Sequence, residues 1–222
     1  MIQCVLVSDL HGQKSFYKNL EYYIIKNLPE AIFFAGDLFP SKYSINDKNE
    51  FIEIFLPSFF KNLREKLKKN YPHFFIIMGN DDEKLYEKTF LKLEYENYLH
   101  YLSNRATNYR DYIIGGYSYI PPSPFLLKDW EKNDVSEYTD IGCIPIHQGS
   151  FSVQRNTNTL KTIKEDLVTL FNSYASNHFI LLAHCPPYHT LTDMADIGHK
   201  FIDHVPLDPH IGSIAIRKWI EK

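Results

Sequence analysis

Cysteine is scarce: Cys4, Cys143 and Cys185 are the only three in 222 residues. A set that is odd in number and scattered excludes a disulfide framework and a cysteine-rich zinc site, and it fits a reducing cytoplasm. No run of about 18 apolar residues occurs, which excludes a long apolar membrane span. Met1-Ile2-Gln3 leads into the first apolar run without the basic start of an export signal, so the expectation is a cytoplasmic protein. A dominant charge is also lacking, because 24 basic and 27 acidic side chains leave a net charge of −3. There is thus no strong signal for nucleic acid or an anionic membrane, and an anionic substrate would need local help such as metal ions. Repeats and low-complexity segments are absent too. With 44% hydrophobic and 23% charged residues the chain can bury a core, and its length fits a single domain over residues 1–222.

The stretch around which the chain is organised is Val5-Leu6-Val7-Ser8-Asp9-Leu10-His11-Gly12. Three apolar residues bounded by Ser, Asp and Gly predict a buried strand opening into a loop, at the sheet edge where α/β folds bind ligands. Asp9 and His11, one residue apart, can converge there as an oxygen and a nitrogen ligand for a divalent transition metal. Taken alone, the pair is a weak signal, and its plainer reading is a solvated turn residue beside a surface histidine. The pattern then repeats. Ala31 to Ala35 ends at Gly36-Asp37, His73 to Met78 ends at Gly79-Asn80-Asp81-Asp82, and Phe179 to Ala183 ends at His184.

Between these runs lie helical periods. Ser15 to Asn27 places Phe16, Leu20, Tyr23 and Ile24 on one face, and residues 47–69 do so with Phe51, Ile54, Phe55, Phe59, Leu63 and Leu67, with a break near Pro57. Asp81, Asp82 and Glu83 open a further helix to about Leu93, where carboxylates suit the positive end of the dipole. Strands alternating with helices predict right-handed crossovers and a mainly parallel sheet, an α/β fold. From Tyr98 to Ile120 the period shortens around Gly115-Gly116, predicting antiparallel strands or a bulged strand. Residues 121–150 are irregular and read as either a substrate-facing lid or a structural excursion. Leu160, Ile163, Leu167, Leu170, Phe171 and Tyr174 mark a helix, and residues 211–222 another.

The ordered set Asp9-x-His11, Gly36-Asp37, Gly79-Asn80 and His184, each after a predicted strand, resembles the calcineurin-like metallophosphoesterase superfamily over nearly the whole chain. The resemblance implies a β-sandwich flanked by helices and a two-metal centre with ions about 3.5–4 Å apart. In that pattern Asp9 and His11 hold the first ion, Asn80 and His184 the second, and Asp37 bridges both. Manganese, iron and zinc all suit such mixed ligands. Two metals would supply a bridging hydroxide and clamp the phosphoryl oxygens of a phosphate mono- or diester.

Two departures from the pattern stand out. Members often carry a histidine after the Asn that serves the leaving group, and Asp81 stands there instead. Asn80 and Asp81 are therefore the catalytic candidates, with helix capping or support of the ligands from behind as the alternative for Asp81 and Asp82, and His147 as a substitute acid. Members also carry a late Gly-His-x-His motif, whereas this chain has Gly198-His199-Lys200-Phe201, with His204 and His210 off the spacing. On that reading the domain is C-terminally incomplete, its second sheet is truncated, and the exposed edge favours a homodimer. The expected function is a metal-dependent phosphoesterase, weakened by the missing ligands. The alternative is a non-catalytic scaffold or protein-binding member of the same fold.

Overall fold

Four parallel strands, β1 (Cys4–Val7), β2 (Ala31–Ala35), β3 (His73–Ile77) and β4 (His100–Tyr101), pair in chain order β1-β2-β3-β4. The computed structural model describes residues 2–40, 45–126, 128–149, 161–174, 178–196 and 201–222. It has two compact units, Met1–Ser103 and Asn104–Lys222.

In the first unit the crossovers are helical: α1 (Lys14–Asn27) joins β1 to β2, and α2 (Ile45–Glu50) and α3 (Leu56–Leu67) lie between β2 and β3. α4 (Glu87–Tyr95) leads to β4. All five residues of β2 are buried, as expected of an inner parallel strand. Ile32 and Phe34 share a face with Phe74 and Ile76 of β3, and the helices bring Tyr17, Phe59 and Phe60 onto it. Ring centroids there are 5.1–6.5 Å apart, the spacing of favourable edge and offset contacts.

Three details differ from the sequence reading. The strand expected to be buried, β1, has one neighbour among the described residues and lies at the sheet edge there, and Leu6 is 70% exposed. On α1 the buried residues are Tyr17, Leu20 and Ile24, not Phe16 or Tyr23. A tyrosine can take the inner position because its hydroxyl donates to the Leu38 carbonyl at 2.9 Å. The break near Pro57 is a turn of π-helix over Phe51–Phe55, and Pro57, at the second position of α3, has no N–H with which to continue the helical ladder. The extra residue in that turn rotates Ile54 to the outside, 61% exposed, and brings Ile52 and Leu56 into the core.

The second unit holds a mixed sheet of β5 (Arg105–Tyr109), β6 (Tyr112–Tyr117) and β7 (Phe179–Ala183), in which β5 and β6 are antiparallel and β6 and β7 parallel. The hairpin turns at Arg110-Asp111, so Gly115-Gly116 lie within β6 and not between strands. A Cβ on Gly115 would meet the Phe179 ring at 2.4 Å and the Phe171 ring at 3.0 Å. The irregular segment is pinned from inside. Lys128 and Glu131 form a buried ion pair at 2.6 Å, and Lys128 also donates to the Ser123 hydroxyl at 2.8 Å, beside a buried Trp130. A four-residue helix α5 (Ile146–Gly149) closes it.

α6 (Ile163–Phe171) begins with a reciprocal capping box between Thr162 and Glu165 and buries Ile163, Leu167 and Phe171. Leu160 lies outside the described residues. A short hairpin, β8 (Phe201–Ile202) and β9 (Val205–Pro206), precedes α7 (Ile214–Ile220). The carboxylate of Asp134 accepts from the Ser213 hydroxyl and the Ile214 and Ala215 N–H groups, which ties α7 to the irregular segment. Among the described residues no helix is long and apolar enough to cross a membrane.

Gly115→Ala should lower stability by about 1–3 kcal/mol, because the new methyl group overpacks the Phe171–Phe179 contact. Urea unfolding measures the change; an unaltered midpoint would show that the rings move aside freely.

Candidate metal centre

The loops that follow β1 and β2 are laced together by their own backbones. Asp9 N–H donates to the Gly36 carbonyl at 3.1 Å, His11 N–H to Asp37 at 2.9 Å and Gly12 N–H to Leu38 at 3.0 Å. This pairing continues the β1–β2 ladder past the strands and carries the side chains of Asp9, His11 and Asp37 toward one point. Their ligand atoms lie within 4.8 Å of one another. His11 Nε2 is 3.9 Å from Asp9 Oδ1, and its Nδ1 faces Asp81 Oδ2 at 3.8 Å, so the imidazole stands between two carboxylates.

Such convergence demands unusual backbone. Asp9, His11 and Asp37 all have positive φ, at 56°, 42° and 54°. Residues other than glycine adopt that region at a cost of about 1 kcal/mol or more each, and it is concentrated at functional sites. Gly12, at φ 65°, has no room for a side chain, since a Cβ would sit 2.4 Å from Pro40.

Asp82 fixes the third loop. Its carboxylate is fully buried, Oδ1 accepting from the Leu38 and Phe39 N–H groups at 2.8 Å each and Oδ2 from Gly79 N–H at 2.9 Å. One side chain thus ties the turn after Asp37 to the turn that carries Asn80. Its negative charge, after burial as the larger cause, also pushes the Tyr17 hydroxyl far above its ordinary pKa. Asp37 is 5% exposed and accepts the Asp81 N–H at 2.8 Å through Oδ1. Each carboxylate oxygen has two lone-pair directions, so this bond leaves Asp37 able to face an ion.

Of the two supporting roles expected of Asp81 and Asp82, helix capping is not the one observed. The chain turns into a short 3₁₀ segment at Lys84–Tyr86 and then α4, and neither start has a side-chain cap. Asp82 instead holds the loops, and Asp81 faces His11 and accepts from the Asn80 side-chain amide at 3.0 Å. Sequence pattern could not distinguish a loop clamp from a helix cap, because both place an acid just after a strand. The one available signal was the run of two acids directly behind Asn80.

The first unit therefore brings together Asp9, His11 and Asp37, with Asn80 and Asp81 on the neighbouring turn. His184 stands in the second unit, half-buried at the end of β7, its N–H donating to Tyr117 at 3.2 Å. His147 is exposed on α5 beside Gln148, and His204 is exposed in the β8–β9 turn. His210 is held by the buried Asp193 at 2.7 Å. Burial alone would raise the Asp193 pKa, but the bonds from His210, His189 N–H and Thr190 N–H outweigh it and hold the carboxyl low. Gly198 and His199 lie outside the described residues.

Two oxygen donors and an imidazole, one carboxylate buried and all within reach of one point, fit a divalent cation. Comparison with known proteins agrees. The profile described as calcineurin-like phosphoesterase matches residues 2–210. The crystal structure of TT1561 of Thermus thermophilus is similar, with a TM-score of 0.58 at 14% identity over 100% of this chain and 77% of that one. A second crystal structure matches with a TM-score of 0.52 at 14% identity, over 98% of this chain and 79% of its own. At that identity the likeness concerns the fold. No curated protein matches the sequence.

Asp82→Asn should cost about 1–3 kcal/mol, since an amide nitrogen must then face a backbone N–H group. Urea unfolding gives the stability, and manganese titration of the folded variant should show weakened binding as the loops loosen. Unchanged values in both would mean that the loops hold without the carboxylate.

Proposed function

The chain belongs to the calcineurin-like phosphoesterase family, and on that premise we propose that it hydrolyses phosphate mono- or diesters with the help of two divalent ions. The observation that carries this reading is the convergence of Asp9, His11 and Asp37 within 4.8 Å on the loops after β1 and β2. Asp9 and His11 would hold the first ion, Asn80 and His184 the second, and the buried Asp37 both. Bound divalent ions supply the positive charge that a phosphate ester demands and a water that ionises near neutral pH.

The remaining work falls to the chain's own residues. Asp37, anchored through Asp81 N–H, keeps its carboxylate in place without spending side-chain freedom at each turnover. Asn80 offers a neutral oxygen, which adds a ligand without cancelling charge. Asp81 is a positioning residue: its carboxylate stands 3.8 Å from Nδ1 of His11, while Nε2 of the same ring faces Asp9. The second reading, a binding or scaffold role without turnover, is favoured by that same residue. An anion at position 81 stands where the resembling enzymes place an imidazole, and it repels a phosphoryl group instead of protonating a leaving oxygen.

Metal-stripped protein assayed on chromogenic phosphate mono- and diesters should be inert and regain turnover as manganese is added. Asp37→Asn should lower that turnover by about 100-fold or more while leaving the fold intact. Turnover that ignores either metal removal or Asp37→Asn would overturn the proposal. Tight manganese binding by equilibrium dialysis with no hydrolysis of either ester would establish the binding role instead.

A further inference from the structure

At the opposite end of the parallel sheet, where β3 and β4 begin, a cavity of about 400 Å³ opens between the C-terminal end of α3 and the turn before β4. β3 alone spans roughly 15 Å at the rise of a strand, so this cavity is remote from the loops that carry Asp37 and Asn80. Its volume lies within the range of small-molecule sites and exceeds what a lone oxyanion fills.

The cationic side of the cavity is built. Arg64 lies flat over the Tyr71 ring, its guanidinium carbon 4.1 Å from the centroid, and 5.2 Å from that of Tyr98. Its Nη2 donates to the Asn97 carbonyl, while Tyr71 Oη donates to the Tyr98 carbonyl at 2.9 Å and locks the two rings together. Three contacts thus remove the rotamer freedom that a surface arginine ordinarily keeps. The Nε of Arg64 is buried and has no hydrogen-bond partner among the described residues. Lys68 follows at the end of α3 on the same wall. His73 and His100 line the floor as a stacked pair, Nδ1 to Nε2 3.5 Å, with Phe75 stacked beneath His100. The one carboxylate among the lining residues, Glu94, is already engaged, accepting the Tyr101 N–H at 2.9 Å.

We propose that this cavity binds a small phosphorylated molecule, its phosphoryl group received by Arg64 and Lys68 and its organic part by the remaining volume beside His100. Two cations match the charge of a phosphate monoester better than that of a carboxylate, and a guanidinium held in one place presents its charge at a set position. Burial and the neighbouring His73 hold the His100 pKa down, and an incoming anion would oppose that shift. The site is independent of the metal centre and does not rest on the hydrolytic reading.

Calorimetric titration of the metal-stripped full chain with AMP, glucose 6-phosphate, inorganic phosphate and acetate tests this. One site is expected, with at least one of the two esters bound more tightly than phosphate, and acetate not bound. Lys68→Gln, at an exposed position, should weaken ester binding about 3-fold or more, and Arg64→Gln about 10-fold or more, whereas Asp37→Asn should leave it unchanged. Absence of ester binding would overturn the proposal, as would affinity that both Arg64→Gln and Lys68→Gln leave intact. So would loss of binding in Asp37→Asn, which would place the ligand at the metal centre, or phosphate binding as tightly as both esters, which would leave the organic subsite without a role.

Discussion

A single buried carboxylate sets the geometry on which the candidate metal centre depends. Asp82 offers no side-chain atom to a ligand, yet its two oxygens collect three N–H groups from two different loops. Those loops leave adjacent parallel strands, and nothing in strand pairing by itself fixes how they continue beyond the last ladder bond. Asp82 fixes it. With Leu38 and Phe39 held, Asp37 turns inward; with Gly79 held, Asn80 and Asp81 follow in register. The same buried charge bears on Tyr17, whose hydroxyl closes the other side of Leu38. A hydrophobic core of stacked rings and a polar knot at its rim therefore meet at one residue, so that packing and ligand placement are linked.

Much of this was legible from the sequence, for physical reasons that can be named. A parallel strand buried on both faces reads as an unbroken apolar run, and the run ends where the chain must turn into solvent. Asp9, His11 and Asp37 were visible because they stand at those ends, and the structure places their ligand atoms together. What periodicity conceals is anything decided by a neighbour remote in sequence. The inner face of α1 depended on whether a tyrosine hydroxyl could find a carbonyl, which is a property of Leu38. The exposure of Leu6 depended on β1 having one partner. Gly115 is a glycine because of two phenylalanines more than fifty residues later, and Asp82 is a clamp because of Leu38 and Phe39.

The two ends of the parallel sheet also differ in how they prepare for charge. At the C-terminal ends of the strands the protein gathers carboxylates and an imidazole, a set that suits a cation. At the N-terminal ends it immobilises a cation between aromatic rings and leaves one of its donors without an acceptor. Both are arrangements of incomplete compensation within a well-packed unit, and each is rigid for a local reason: backbone ladders in the first case, ring stacking in the second.

The left-handed backbone at Asp9, His11 and Asp37 has a consequence for how this chain can vary. At such positions glycine is the residue that the local conformation prefers, and an aspartate or histidine there keeps the folded state less stable than it could be. Substitution toward glycine would therefore be favoured by any pressure acting on stability alone, and each such change would erase a ligand. The site thus sits on a slope, where tolerance to heat and capacity to hold a cation pull the same three codons in opposite directions.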